Sequence, residues 1–79
     1  MTDGEILAAI AEIVRTQFGV QRQIGMDTRL VEAFALDSLR LLTLVAEVEN
    51  HFRVRLEDGD EGGLVTMADV VAVVRRHLP

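Results

Sequence analysis

Phe34-Ala35-Leu36-Asp37-Ser38-Leu39, followed directly by the apolar-rich run from Arg40 to Phe52, is the stretch on which the reading of this chain turns. Asp and Ser start helices because their side-chain oxygens accept from the free backbone N–H groups of a first turn. The residues after them repeat apolar positions at helical spacing, so a helix is predicted from about Ser38 to Phe52. Ser38 should then stand exposed at its mouth, where the partial positive charge and unpaired amides of a helix start suit a phosphate. A hydroxyl in that place is well set to carry a phosphate ester.

The rest of the chain surrounds that helix with others. Ile6, Ile10, Ile13, Val14 and Phe18 form the stripe of an amphipathic helix over residues 5–18, with Asp3 and Glu5 near its start and Gly19 as a stop. Residues 19–36 read as a long connection, which should be tied down by Val20, Ile24, Leu30, Phe34 and Leu36. In the central helix, Leu39, Leu42, Val45, Val48 and Phe52 are the expected core stripe, with Glu49 at its margin and Leu41 left over, partly exposed. Phe52-Arg53-Val54-Arg55-Leu56 alternates like a strand but has nothing to pair with, so an extended connector is expected, with Val54 and Leu56 turned inward. The acidic, glycine-rich segment Glu57 to Gly63 is a loop, with at most a short turn around Glu61 to Leu64. Thr66 should cap the last helix, with Asp69 completing a capping box. Met67, Val70, Val71, Val74 and Leu78 give its buried stripe, and Arg75, Arg76 and His77 suit its C-terminal dipole.

Composition supports an all-α fold. Of 79 residues, 49% are hydrophobic but only 4% aromatic, which favours a small aliphatic bundle of three to four helices over a sandwich. The length suits one domain, residues 1–79. There is no cysteine, so disulfides and thiolate metal sites are excluded. The net charge of −5 disfavours nucleic acid and anionic membrane as partners. No apolar run approaches the roughly 18 residues of a membrane span, and the N-terminus lacks a basic signal-peptide start, so a cytoplasmic monomer is expected.

Several segments together resemble the acyl carrier protein family over nearly the whole chain. Phe18-Gly19-Val20 resembles the end of that family's first helix. Asp27-Thr28-Arg29-Leu30 resembles its loop segment ending in a buried leucine. Leu36-Asp37-Ser38-Leu39 resembles the attachment motif, and Glu49-Asn50-His51-Phe52 the close of the second long helix. The tripeptide Asp-Ser-Leu alone is a weak signal; mid-chain, at a helix start, in an acidic helical domain of this size, it is a strong one. The resemblance implies that Ser38 carries 4′-phosphopantetheine, derived from coenzyme A, whose thiol holds cargo as a thioester. Asp37 would position Ser38 and the magnesium used during transfer, and Arg40 would offset the phosphate charge. Leu39, Arg40, Leu41 and Ala46 are candidate partner or cargo contacts, with Leu41 favoured for a partner. The implied partners are a phosphopantetheinyl transferase, an acyl- or aminoacyl-loading ligase, and a ketosynthase or other cargo-processing enzyme. Asp rather than His before the serine favours acyl over peptidyl cargo, by family habit.

Two departures stand out. The family has glycine two residues before the Asp of the motif, where this chain has Ala35, and a position requiring positive φ would penalise alanine. The exposed face of the central helix carries Arg40, Leu41 and Thr43, with acids only at Glu47 and Glu49, which points to a dedicated carrier in a specialised polyketide, lipid or nonribosomal peptide pathway. Catalysis by the chain itself is not expected: on one helix, Ser38 and His51 would stand roughly 20 Å apart.

Other readings compete. For Ser38 the plain one is a helix cap without chemistry, and for Leu39, Leu41 and Ala46 it is core packing. From another class, Asp58, Asp60 and Asp69 partly imitate a calcium-binding EF-hand loop. Gly62 supplies no ligand there, Asp69 is a poor substitute for the closing bidentate Glu, and a solvated acidic loop explains the same residues. A carrier-like domain with an inert Ser38 is a third possibility.

Overall fold

Thr2 opens the first element. Its hydroxyl accepts from Glu5 N–H, and the Glu5 carboxylate accepts from Thr2 N–H at 2.8 Å, so helix α1 (Asp3–Phe18) begins with a full capping box. It ends where Gly19 takes φ 66, a left-handed conformation that glycine adopts without steric cost. The computed structural model describes residues 1–57 and 63–78, and within them three further helices follow: α2 (Leu30–Phe34), α3 (Ser38–Phe52) and α4 (Met67–His77). The described residues contain no strand.

One buried cluster joins all four helices. Ile6, Ile10 and Val14 of α1, Leu30 and Phe34 of α2, Leu44 and Val48 of α3, and Met67, Val70, Val71 and Val74 of α4 form its centre. Each such side chain contributes about 1.5–3 kcal/mol on leaving water. Val54 and Leu56 are half-buried, as an inward-turned connector requires.

The structure corrects the sequence reading in three places. Residues 19–36 are not an uninterrupted loop, because Leu30 to Phe34 form α2. Leu30 and Phe34 are both buried, on the face that residues four apart share in a helical turn. Five residues are too few to show a repeating stripe, so the pattern gave no warning. Second, α3 is turned about its axis from the expected orientation. Leu44 and Val48 are buried and Leu41, Val45 and Phe52 pack against the core, while Leu39 and Leu42 are 73% and 60% exposed. A helix with leucines at 39, 41, 42 and 44 supports two competing stripes, and tertiary packing selects the second. Glu49 does not merely edge the stripe: its Oε2 accepts from Leu56 N–H at 2.8 Å and ties the connector to α3. Third, α1 starts at Asp3, two residues earlier than predicted, because of the Thr2 cap. The expected turn around Glu61 to Leu64 falls largely outside the described residues.

The long first connection is tied to the start of α4. The first N–H groups of a helix lack intrahelical partners; here Met67 N–H donates to Thr28 O and Ala68 N–H to Met26 O, both at 2.9 Å. Leu30 N–H returns a bond to Val65 O at 2.9 Å, closing an isolated bridge between Arg29 and Thr66. The predicted capping box of α4 is present: Thr66 Oγ1 accepts from Asp69 N–H, and Asp69 Oδ2 accepts from Thr66 N–H and Val65 N–H.

Two predictions follow from this geometry. Ala35, the C-cap of α2, has φ 52, where an L-residue is strained by about 1–2 kcal/mol. Ala35→Gly removes that strain but loosens the unfolded chain by about 0.4–1 kcal/mol, so Tm should rise by about 3 °C. A fall in Tm in a thermal melt would contradict the strain. The bonds from the Thr66 and Val65 amides hold the Asp69 carboxyl below its ordinary pKa. Its stabilisation is therefore present above the unfolded-state value and lost as pH falls below about 4. Melts at acidic and neutral pH should show Asp69→Asn losing less stability on acidification than the native chain.

Candidate functional site

Three backbone conformations in a row set the stage for Ser38. Ala35 turns left-handed and closes α2, its N–H donating to Val31 O at 3.0 Å. Leu36 then drops into the core, and Asp37 runs extended at φ −100. With the chain so directed, Asp37 Oδ1 accepts from Arg40 N–H at 2.8 Å and Asp37 O accepts from Leu41 N–H at 2.9 Å. Asp37 is thus the N-cap of α3 and Ser38 its first residue, exposed to solvent. Ser38 is the chain's only serine. The amides of Ser38 and Leu39 belong to the first-turn donors that a helix start turns toward an anion.

The surroundings suit an ester-linked arm. A pocket of about 290 Å³ opens beside Ser38, lined by Asp37, Leu30, Val31, Leu36, Leu41 and Leu64. It offers one carboxylate and otherwise aliphatic walls, which fits a group that is both amide-bearing and flexible. Leu41, expected to be partly exposed and a partner or cargo contact, is half-buried in this wall. Leu39 is the more exposed at 73%, with Leu42 and Val31, each 60% exposed, as further accessible apolar side chains. Ala46 is exposed on the same helix. The Arg40 guanidinium lies over the Phe18 ring, 5.9 Å from its centroid, a cation–π contact that joins the start of α3 to the end of α1.

Sequence reasoning missed Val31, Leu42 and Leu64. Val31 escaped because α2 was read as loop, Leu42 because it was assigned to the core, and Leu64 because nothing local relates it to Ser38. Between α3 and α4 lies an apolar seam, where Leu44, Val45 and Val48 face Val70, Val73 and Val74, with Leu56 and Leu64 completing the wall. It has no space for even a water-sized sphere.

Other chemistry finds little support among the described residues. His51 sits in the last turn of α3, edge-on to Phe52, far along the helix from Ser38. No group of three or more His, Cys, Asp or Glu side chains is gathered to hold a metal ion among the described residues. Asp69 Oδ2 is occupied by two backbone amides, and Asp58 and Asp60 lie outside the described residues. No described helix is long and apolar enough to cross a membrane.

Residues 8–76 match the family model described as "Phosphopantetheine attachment site". The meromycolate extension acyl carrier protein of Mycobacterium tuberculosis is 32% identical over 77 residues, spanning 96% of this chain and 67% of that protein. An acyl carrier protein from Beutenbergia cavernae is 32% identical over 74 residues, spanning 92% and 90%. Among solved structures, a Mycobacterium tuberculosis chain assigned as an acyl carrier protein superposes with a TM-score of 0.83 at 27% identity, over 90% of this chain and 96% of its own. The acyl carrier protein of Enterococcus faecalis shares the fold, with a TM-score of 0.77 at 23% identity over 98% and 99%. Carriers of this kind hold cargo rather than transform it, and their group is phosphopantetheine. With a lone exposed serine capped into the start of a helix, this chain belongs to the acyl carrier protein family.

Proposed function

We propose that Ser38 is the attachment residue, and that residues 1–79 act as one discrete carrier domain for acyl cargo. The observation that carries this reading is the exposed hydroxyl of Ser38 on the first residue of α3, with Asp37 locked beside it as the cap. On transfer from coenzyme A, the Ser38 Oγ–phosphorus bond forms as the pyrophosphate bond breaks. Adenosine 3′,5′-bisphosphate leaves, and the hydroxyl proton passes to a base of the transferase. Once in place, the group supplies a thiol that binds acyl chains as thioesters.

The chain's own residues do the rest. The first-turn amides of α3 and the helix dipole favour the phosphodiester charge. Asp37 holds the first turn closed, and its second oxygen is available to the transferase's magnesium. Leu39 and Leu42 present an apolar surface beside the modified residue for partner enzymes: the transferase, a loading ligase and a ketosynthase or comparable acyl-processing enzyme.

The first turn of α3 contains no acid and places Arg40 next to that surface. This supports a dedicated carrier of a specialised pathway, whose partners read apolar contacts more than a negative helix face. The names of the similar proteins, a meromycolate extension acyl carrier protein and an acyl carrier protein, support acyl over aminoacyl cargo. A cytoplasmic location suits this role, since the group comes from coenzyme A.

Incubation with coenzyme A and a broad-specificity phosphopantetheinyl transferase should add one phosphopantetheinyl group by intact mass, and none to Ser38→Ala. A native chain of unchanged mass would overturn the reading. Asp37→Ala should lower Tm by about 4–8 °C through loss of a cap worth about 1 kcal/mol. Asp37→Asn keeps the cap and should melt like the native chain, yet accept the group about tenfold more slowly, a barrier change of about 1.4 kcal/mol. Equal modification rates for Asn and Asp at this position would reduce Asp37 to a structural cap.

A further inference from the structure

Glu49 ties the connector after α3 to the helix at three points. Its carbonyl accepts from the N–H groups of Arg53 and Val54, the latter at 3.2 Å, and its Oε2 accepts from Leu56 N–H at 2.8 Å. Within that brace, exposed Arg53 and Arg55 alternate with half-buried Val54 and Leu56. Two residues apart on a connector of this kind, the Cα atoms of the arginines are separated by roughly 6–7 Å.

Both arginines line one open pocket of about 560 Å³, together with Glu49, Asn50 and Val54. The acid in that lining does not pair with them. Glu49 and Arg53 stand at the i, i+4 spacing of helical ion pairs, yet no ion pair among the described residues engages Arg53 or Arg55. Arg53 is also the C-cap of α3 at φ 57, a left-handed position that glycine would occupy without strain. A charged side chain in a strained conformation, on a braced backbone at the rim of a polar pocket, is a candidate binding group.

The occupant is set by chemistry and shape. Each guanidinium offers a fork of donors that matches a carboxylate. Two of them 6–7 Å apart suit acids at i, i+4 on a helix or i, i+2 on an extended segment, to within about an ångström. The pocket is open, which favours side chains arriving from another surface over a small ion that needs enclosure. Asn50 and Arg53 also continue the exposed line of Leu39, Leu42 and Ala46 along α3, which begins beside Ser38. We propose that Arg53 and Arg55, with Asn50, form a docking point for an acidic segment of a partner protein, roughly 20 Å along α3 from Ser38. The proposal does not depend on what Ser38 carries. It assigns a positive recognition point to a chain whose net charge is −5.

The test titrates the unmodified, isotope-labelled full chain with a blocked peptide of six glutamates, followed by NMR. A six-glutamine peptide and inorganic phosphate serve as comparisons. The Nε–H signals of Arg53 and Arg55 and the side-chain amide of Asn50 should shift saturably with the glutamate peptide, while the Nε–H signals of Arg15 and Arg22 stay in place. Arg53→Gly or Arg55→Gln should weaken binding about threefold each, and the pair together about tenfold. Arg53→Gly relieves the left-handed strain, so this variant should melt no lower than the native chain, separating lost binding from lost fold. Arg22→Gln, which removes an equal charge outside the pocket, should leave the affinity unchanged. Equal shifts at every exposed arginine would overturn the proposal by reducing the site to general charge attraction. Absence of saturable shifts at Arg53 and Arg55 would overturn it too, as would tighter binding of phosphate than of the glutamate peptide, the mark of a small-ion site.

Discussion

The carboxylate of Asp37 accepting the Arg40 amide is the interaction on which the site depends. A helix start leaves several N–H groups without partners, and one side-chain acceptor is enough to fix where the helix begins. Because Asp37 takes that role, Ser38 becomes the first helical residue rather than the cap. Its hydroxyl is left free of the capping duty that Thr2 and Thr66 perform for their helices. The same hydroxyl chemistry therefore serves structure at two helix starts and stands available for modification at the third.

Direction into that cap comes from α2. Its buried Leu30 and Phe34 hold the short helix to the core, and the left-handed Ala35 turns the chain so that Leu36 points inward and Asp37 outward. The segment before α2 is itself bonded to the first amides of α4. The site at Ser38 and the start of α4 are thus linked through one continuous stretch of backbone, residues 25–38, rather than through a side-chain relay. The Arg40–Phe18 contact adds a link to α1, so the exposed serine rests on a well-braced helix end.

Much of this was legible in the sequence, for reasons that can be named. Three helices announce themselves by long apolar stripes, and the Thr66–Asp69 box by its spacing. Asp37-Ser38 before such a stripe marks the candidate site, since cap chemistry is local. What the sequence did not reveal is nonlocal or degenerate. α2 is too short for periodicity, and its burial depends on neighbours distant along the chain. The sequence reading took Leu39 and Leu42 as the inward side of α3, and the structure buries Leu44 instead, because each choice is apolar at helical spacing. Leu64 joins the site only through the folding of α4 against α3. Alanine at 35 left the turn before the site open in the sequence; the structure places that alanine in the left-handed conformation, with the strain that implies.

The central claim is that a preformed helix start, not a rearranged loop, receives the phosphodiester at Ser38. An amide proton–nitrogen NMR map recorded before and after phosphopantetheinyl transfer addresses it most directly. The account predicts the largest shifts at the Ser38, Leu39 and Arg40 amides, with α1 and α4 unmoved. Unwinding of the first turn of α3, or changes spread across the whole bundle, would contradict it.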